Sequence, residues 1–419
     1  MHRMRLVVPI VCLAVCGVLA AFAQDDAPSA ADLNSAGVKH YNAGEWDSAI
    51  DAFTEALEIA PGNATLRRNL CNAYQAAANE AALASDFGQA MTLAEVATQV
   101  EPDNASPLIQ VGAYHLRLGQ TSEAIMRLEE ALDLAPDSIE AHELLGDAYY
   151  RNNNLVDALT EWEWVMEVKG GNASLADKLD KARRESSVEA DFGNRGSQHF
   201  DISYDPGTAG AEIAQIRSTL ERAYLEIGRK FGRVFPPERV KVKLYTAEDF
   251  TKVTLLGEHV GALYDGKIRL PVRDKSGRGL DDDELKRRLF HEYTHVVVRY
   301  LVDDNVPWWL NEGLAETFSN ELSGNDKDML SRARREKRLF PLADLDGAQL
   351  GRLSNEDLRL AYTQSHATVE HLWSSFGPRG LVAMMNALAA GEDAERALVT
   401  AYRRNYALLE REVANTFGR

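Results

Sequence analysis

Residues 44–64 read GEWDSAIDAFTEALEIAPGNA, and two later stretches align with them without gaps: GQTSEAIMRLEEALDLAPDSI at 119–139 and NNLVDALTEWEWVMEVKGGNA at 153–173. In each stretch a small residue recurs where two helices would cross, and a large residue fills the groove between them. The large residues are Phe53, Leu128 and Trp162. Self-similarity of this kind is the signature of a repeat array, whose units stack because none can bury its apolar face alone.

The pattern resembles the tetratricopeptide repeat (TPR), a helix–turn–helix unit with a period of about 34 residues. The resemblance implies an all-α solenoid of about four units over residues 30–170. The interval from Pro61 to Pro102 is longer than one period, which predicts longer helices in the second unit. Residues 171–195 then predict a solvated capping helix and linker. Such an array offers a concave face to a protein partner, and a structural spacer is the alternative.

The first 23 residues have the features of a secretory signal peptide. Arg3 and Arg5 precede an apolar run, and residues 21–23 supply a small-x-small cleavage pattern. Cleavage would give an exported protein, periplasmic or extracellular, with no stable insertion in a membrane. An uncut signal would instead leave a membrane anchor. The formal net charge of -18 argues against a nucleic-acid partner, because nucleic-acid binding needs a basic face.

The second half of the chain carries the chemistry. From about residue 196 the periodicity changes to alternating strands followed by amphipathic helices, which predicts an α+β domain over 196–419. Within it, the stretch HEYTH places His291 and His295 one helical turn apart, so both rings project from one face and can bind one Zn²⁺. Glu292 lies beside them and can accept a proton from a water molecule activated by that ion.

A second motif supplies the third ligand. The stretch WWLNEGLAETFSNEL at 308–322 predicts another helix, and Glu312 within it lies 17 positions past His295. A hairpin of two helices would bring this carboxylate to the ion, and two His and one Glu leave a fourth position open, as catalytic zinc sites do. Glu316 lies one turn further and can accept the second N–H of a ligand histidine. An ordinary solvent-facing carboxylate is the alternative for Glu316.

Together the two motifs resemble the gluzincin clan of zinc metallopeptidases. The more similar group is the family of peptidase MA-like domains, which often follow tetratricopeptide repeats in exported bacterial proteins. Leu301 stands where a metzincin would carry its third histidine. The resemblance spans about residues 197–419 and implies Zn²⁺ as cofactor, a protein or peptide substrate and hydrolysis of a peptide bond. The predicted fold is therefore a multidomain chain with an all-α TPR solenoid followed by an α+β gluzincin-like zinc metallopeptidase domain.

The same resemblance implies residues of the substrate cleft. The stretch GALYDGKIRLPV at 261–272 stands where related aminopeptidases carry a Glu that binds the free amine of the substrate. Tyr264 occupies that position, with Asp265 after it, and this departure favours an endopeptidase. Tyr362 is the predicted hydrogen-bond donor to the oxyanion of the tetrahedral intermediate, and His366 one turn on is the rival donor.

Two other functions stay open from the sequence. One is a repeat-based adaptor whose protease-like domain binds zinc or peptide without cleaving. The other is a zinc amidohydrolase that acts on a non-protein substrate such as a cell-wall amide.

Overall fold

The computed structural model describes residues 28–84, 86–256, 262–273, 276–347 and 353–417. The predicted signal peptide at 1–23 lies outside these residues. The described chain falls into two compact units, one ending at Leu70 and the other beginning at Cys71. Among the described residues, no helix combines the length and the apolarity that a membrane crossing needs.

The first part of the chain is built from successive helices, as the repeat pattern predicts. They are α1 (Ala30–Ala43), α2 (Trp46–Ile59), α3 (Ala64–Leu83), α4 (Phe87–Val100), α5 (Ala105–Arg117), α6 (Thr121–Leu134), α7 (Ile139–Arg151) and α8 (Leu155–Lys169). The extra residues of the second unit lie in α3, which has 20 residues where α5 has 13. A Cβ at Gly112 would lie 2.6 Å from Leu128 Cγ, so α5 and α6 cross this closely only because the position is glycine.

Helix α9 (Ala173–Glu189) follows the repeats. Asn172 caps it, because its side-chain oxygen accepts a hydrogen bond from the Leu175 amide at 2.8 Å. The expectation of a solvated helix is wrong for one face, since Glu185 and Glu189 are buried there. The reason is tertiary: this face meets cations on a β-sheet, which the local sequence does not reveal.

Five strands of the described chain form one sheet in the order β1-β2-β3-β5-β4. They are β1 (Gly193–Gly196), β2 (Phe200–Tyr204), β3 (Val240–Tyr245), β4 (Leu263–Tyr264) and β5 (Ile268–Pro271). The central strands β2, β3 and β5 are parallel, while β1 and β4 pair antiparallel at the two edges. Helices α10 (Gly210–Lys230) and α11 (Ala247–Thr254) lie between strands along the chain. The sheet thus begins inside the segment that the sequence predicts as capping helix and linker.

The two faces of the sheet differ in chemistry because successive strand residues point to opposite sides. On one face, Val242, Leu244 and Ile268 belong to the core that includes apolar residues of α10 and of the helix that follows the sheet. The opposite face carries the buried cations Lys243, Lys267 and Arg269. These cations receive their counter-charges from α9.

The remaining elements are helical. They are α12 (Asp282–Val302), α13 (Trp308–Ser319), α14 (Gly324–Arg335), a 3₁₀ turn (Leu342–Leu345), α15 (Asn355–Ala389), α16 (Ala394–Tyr402) and α17 (Tyr406–Thr416). Helix α12 begins where Asp281 accepts a hydrogen bond from the Glu284 amide at 2.8 Å. Helix α15 is interrupted at Gly377, which has a φ of 65° and directly precedes Pro378. Helices α12, α13 and α15 pack against one another and form the frame of the candidate site.

Gly313 decides how closely α13 approaches α15. A Cβ there would lie 2.5 Å from the Ser365 carbonyl oxygen, which belongs to rigid helical backbone. We expect Gly313→Ala to lower the free energy of unfolding by about 1–3 kcal/mol, because the two helices must separate to admit a methyl group. Thermal and denaturant unfolding followed by circular dichroism would measure the loss.

Gly324→Ala is the matched control, since nothing lies within 4 Å of the position that its Cβ would take. Equal stability of the two variants would contradict the close packing of α13 on α15.

Candidate metal centre

The three predicted ligands come together in the structure. His291 and His295 lie on α12, Glu312 lies on α13, and one potential ligand atom of each lies within 4.8 Å of the other two. The Nε2 atoms of His291 and His295 are 3.5 and 3.7 Å from the same Oε2 atom of Glu312. The three side chains therefore converge on one point between the two helices.

The opposite nitrogens of both rings face polar groups on α13. Nδ1 of His295 lies 2.9 Å from Oδ1 of Asn311, and Nδ1 of His291 lies 3.4 Å from Oε1 of Glu316. The His291 contact is too poorly aligned to count as a hydrogen bond. Because the Nδ1 atom of each ring faces an acceptor on α13, the Nε2 atom of each ring points towards Glu312.

Asn311 is a site residue that sequence reasoning missed. Its signal is local, because it directly precedes the ligand Glu312 in the chain. The contact with His295 depends on the rotation of α13 against α12, which spacing along the chain does not specify. The proximity of Glu316 to a ligand histidine, in contrast, is predicted from the sequence, and the structure shows that this histidine is His291.

Negative charge accumulates around the two imidazoles. Burial by itself lowers the pKa of His291, but the hydrogen bond with Glu312 and the charges of Glu292, Glu312 and Glu316 outweigh it and raise the pKa to about 9. Burial raises the pKa of Glu312, but His295 and His291 hold it below its usual range. The pKa of Glu292 is raised, because burial is the dominant effect there. A site with three buried or half-buried carboxylates and two histidines has the charge balance that a divalent cation would complete.

The residues fit a zinc ion. Two imidazole nitrogens and one carboxylate oxygen, with one position left for water, are the donor set of catalytic zinc sites. Bonds of about 2.0–2.2 Å in tetrahedral geometry require donor atoms roughly 3.3–3.6 Å apart. The separations of 3.5 and 3.7 Å from Glu312 are close to this requirement. The structure thus supplies both the chemistry and the spacing.

Tyr362 and His366 lie on α15, one turn apart, in different surroundings. The Tyr362 ring contacts Trp308 edge-on, with 4.8 Å between ring centroids. Burial raises the pKa of Tyr362, and the charges of Glu312 and other site carboxylates raise it further, so the phenol stays protonated. His366 is buried, and burial lowers its pKa to about 4, so it is neutral near pH 7. Of these two residues, only Tyr362 has the site carboxylates as its main charged neighbours. Its role as hydrogen-bond donor to the oxyanion stays a prediction.

The structure separates the two predicted cleft residues Tyr264 and Asp265. Tyr264 pairs with Ile268 on the core face of the sheet and packs beside α12. Asp265 accepts hydrogen bonds from Arg269 Nε at 3.0 and 3.1 Å and forms an ion pair with Lys181 at 2.7 Å. Tyr264 therefore lies beside α12, the helix that carries two of the predicted ligands, whereas Asp265 is engaged in ion pairs with Arg269 and Lys181.

Family models match both parts of the chain. Residues 279–417 match the Peptidase MA superfamily, and residues 112–153 match a TPR repeat. The chain therefore carries a Peptidase MA superfamily domain preceded by tetratricopeptide repeats. The resemblance and the fold class predicted from the sequence are confirmed.

Curated relatives match a limited part of the chain. The Hsp70-Hsp90 organizing protein of Triticum aestivum is 32% identical over 110 residues, which are 26% of this chain and 17% of that protein. RNA polymerase II-associated protein 3 of Mus musculus is 28% identical over 116 residues, which are 28% of this chain and 16% of that protein. The chain thus spans less than a fifth of the length of these two relatives.

Solved structures that are similar to part of this chain include TPR proteins. The crystal structure of MamA has 18% sequence identity and a TM-score of 0.31, and the match covers 38% of this chain and 82% of that one. The first TPR of Spaghetti (RPAP3) bound to an HSP90 peptide has 18% identity and a TM-score of 0.20, covering 38% of this chain and 96% of that one.

The ligand set predicts about one zinc ion per chain. His295→Ala removes one of three ligands, so we expect its zinc content after dialysis to fall close to zero in elemental analysis. His371→Ala is the control, because His371 belongs to the same domain but faces Glu412 instead of the site. Equal zinc content in wild type and His295→Ala would contradict this ligand assignment.

Asn311→Ala tests the contact behind His295. We expect the variant to bind one zinc ion still, with an affinity about 10–100-fold lower, because the imidazole loses the partner that orients it. Competition with a chromophoric chelator measures the affinity. An unchanged affinity would show that Asn311 does not orient the ring.

Proposed function

We propose that this protein is an exported zinc-dependent metallopeptidase that cleaves interior peptide bonds, with a repeat domain that binds a protein partner. The observation that carries the proposal is the convergence of His291, His295 and Glu312 beside Glu292, within a domain that matches the Peptidase MA superfamily. Export rests on the signal-like residues 1–23.

The chain's own residues account for the steps of hydrolysis. When bound by His291, His295 and Glu312, zinc supplies Lewis-acid polarisation of a carbonyl and activation of water. Glu292 follows His291 on the same helix and interacts electrostatically with both histidines, so it can accept the proton of the attacking water and deliver it to the leaving nitrogen. Tyr362 remains protonated and can donate a hydrogen bond to the developing oxyanion.

Preference for interior bonds rests on the edge strand. Where related aminopeptidases present a carboxylate to the substrate amine, this chain presents the phenol of Tyr264. The neighbouring carboxylate of Asp265 is neutralised by Arg269 and Lys181 and is not free to bind an amine. A substrate without a free amino end therefore suits this cleft better than a free N-terminus.

In this proposal the repeat domain binds a protein partner. Stacked TPR units form extended surfaces that bind protein segments, and residues 112–153 match such a unit. The acidic net charge of -18 disfavours nucleic acid as that partner.

The decisive experiment compares the purified full chain with Glu292→Gln on a mixed protein and peptide library. We expect wild type to produce fragments with new internal ends, and Glu292→Gln to cleave about 10²–10⁴-fold more slowly with unchanged zinc content. Mass spectrometry of the products measures both the cleavage and its position.

Glu321→Gln, at an exposed acid outside the site, serves as the control variant. Equal products from wild type and Glu292→Gln would contradict the peptidase and favour an adaptor. Cleavage restricted to non-peptide amides would favour an amidohydrolase.

A further inference from the structure

Arg269 on β5 is the most highly hydrogen-bonded buried charge in the described interior. It is 0% exposed, and all three of its guanidinium nitrogens donate hydrogen bonds. Nε donates to Asp265, Nη1 donates to the Tyr245 hydroxyl at 2.6 Å, and Nη2 donates to Oε1 of Glu185 at 2.8 Å. Because the guanidinium is planar and its donors have fixed directions, it sets the relative positions of these partners.

The partners of Arg269 belong to different parts of the chain. Glu185 lies on the capping helix α9, Tyr245 lies on β3, and Asp265 lies in the turn between β4 and β5. Tyr150, near the end of α7, the first helix of the fourth repeat, donates to Glu185 at 2.5 Å. One buried cation therefore connects the repeats, the cap, the sheet and the β4–β5 turn.

Two further cations bind α9 to the same face of the sheet. Nζ of Lys267 lies 3.1 Å from Glu185 and also 3.1 Å from Asn153, which follows α7. Nζ of Lys243 lies 2.6 Å from Glu189. Buried cations are stable only when they are paired, so α9 cannot leave this face without exposing or stranding these charges.

Edge strand β4 depends on support of this kind. Its ladder with β5 has only two residue pairs, and such a short strand is weakly held by its own hydrogen bonds. Asp265 directly follows β4, and both Arg269 and Lys181 bind its carboxylate. These ion pairs fix the end of the strand, while Tyr264 one residue earlier faces the side of α12.

The third repeat also contacts the peptidase domain, at the far end of the metal-binding helix. Nη1 of Arg117 lies 2.7 Å from Asp303, the residue that ends α12. Arg117 is 56% exposed, so this pair is screened by solvent and holds the helix only weakly. The buried network around Arg269, in contrast, includes the residue that directly follows β4.

We propose that Arg269 and Glu185 are positioning residues of the substrate cleft, which hold edge strand β4 beside the metal-binding helix α12 through Asp265. The capping helix and the end of α7 in the fourth repeat then support the peptide-binding cleft, and the repeats do more than recruit a partner. The link to peptide binding rests on the proposed peptidase function, whereas the positioning of β4 does not require turnover.

The test breaks the network at its outermost member. Asp265→Asn keeps the shape of the turn but removes the charge that Arg269 and Lys181 bind. We expect amide exchange in the β4 peptide, followed by mass spectrometry, to become about tenfold faster, while zinc content stays at the wild-type level. Glu185→Gln is expected to shift exchange in the same direction, and if it does not fold, Asp265→Asn still decides the question.

Asp201→Asn is the matched control, because Asp201 also pairs with a lysine, on β3, and with an arginine, just before β3, but lies on β2, away from β4. On a cleaved peptide we expect Asp265→Asn to raise KM about tenfold with little change in kcat, because strand placement affects binding before chemistry. Exchange in β4 that stays at the wild-type rate in folded Asp265→Asn would overturn the positioning role. A chain that never cleaves peptides would overturn the proposed function while leaving the exchange result interpretable.

Discussion

A half-buried carboxylate between two imidazoles, Glu312 against His291 and His295, is the constraint around which the C-terminal domain is arranged. Such a group is costly to bury without compensation, so the two helices that carry it must pack in one register. Gly313, the residue after Glu312 on α13, permits this register because it lies directly against the α15 backbone, where a side chain would not fit. The same close packing places Tyr362 of α15 within the electrostatic reach of the site carboxylates. Ligand geometry and helix packing are therefore two aspects of one arrangement.

The second face of the sheet shows how a domain boundary can differ from a change in sequence pattern. The repeats and the sheet have different periodicities, which places a boundary near residue 196. Yet Glu185 and Glu189, on the repeat side of that boundary, neutralise cations on the sheet side. A peptidase domain cut at the pattern change would lose these counter-charges and the support of edge strand β4. The folded unit is thus larger than the stretch that carries His291, His295 and Glu312.

The parts of the site that sequence reasoning reached are those set by local geometry. His291 and His295 are a helical turn apart, so their common face follows from the helix itself. Placing Glu312 beside both histidines requires only one additional assumption, that two consecutive helices form a hairpin. Sequence reasoning does not reach Asn311, because its contact with His295 depends on helix rotation. The resemblance implies Asp265 as a cleft residue, and its ion pair with Lys181 is not predictable because the two residues are remote in sequence.

By itself, the sequence determined the repeat solenoid and the pairing of two histidines with a glutamate, and it predicted Glu292 as the base, because each depends on spacing within one or two helices. Only the tertiary structure decided that the outer face of the sheet is buried and that α9 supplies its counter-charges. Arg269 and Glu185 are 84 residues apart, and no periodicity relates two charges at that distance. Their pairing follows from which surfaces remain to be covered once the sheet has formed, and this is a property of the assembled fold.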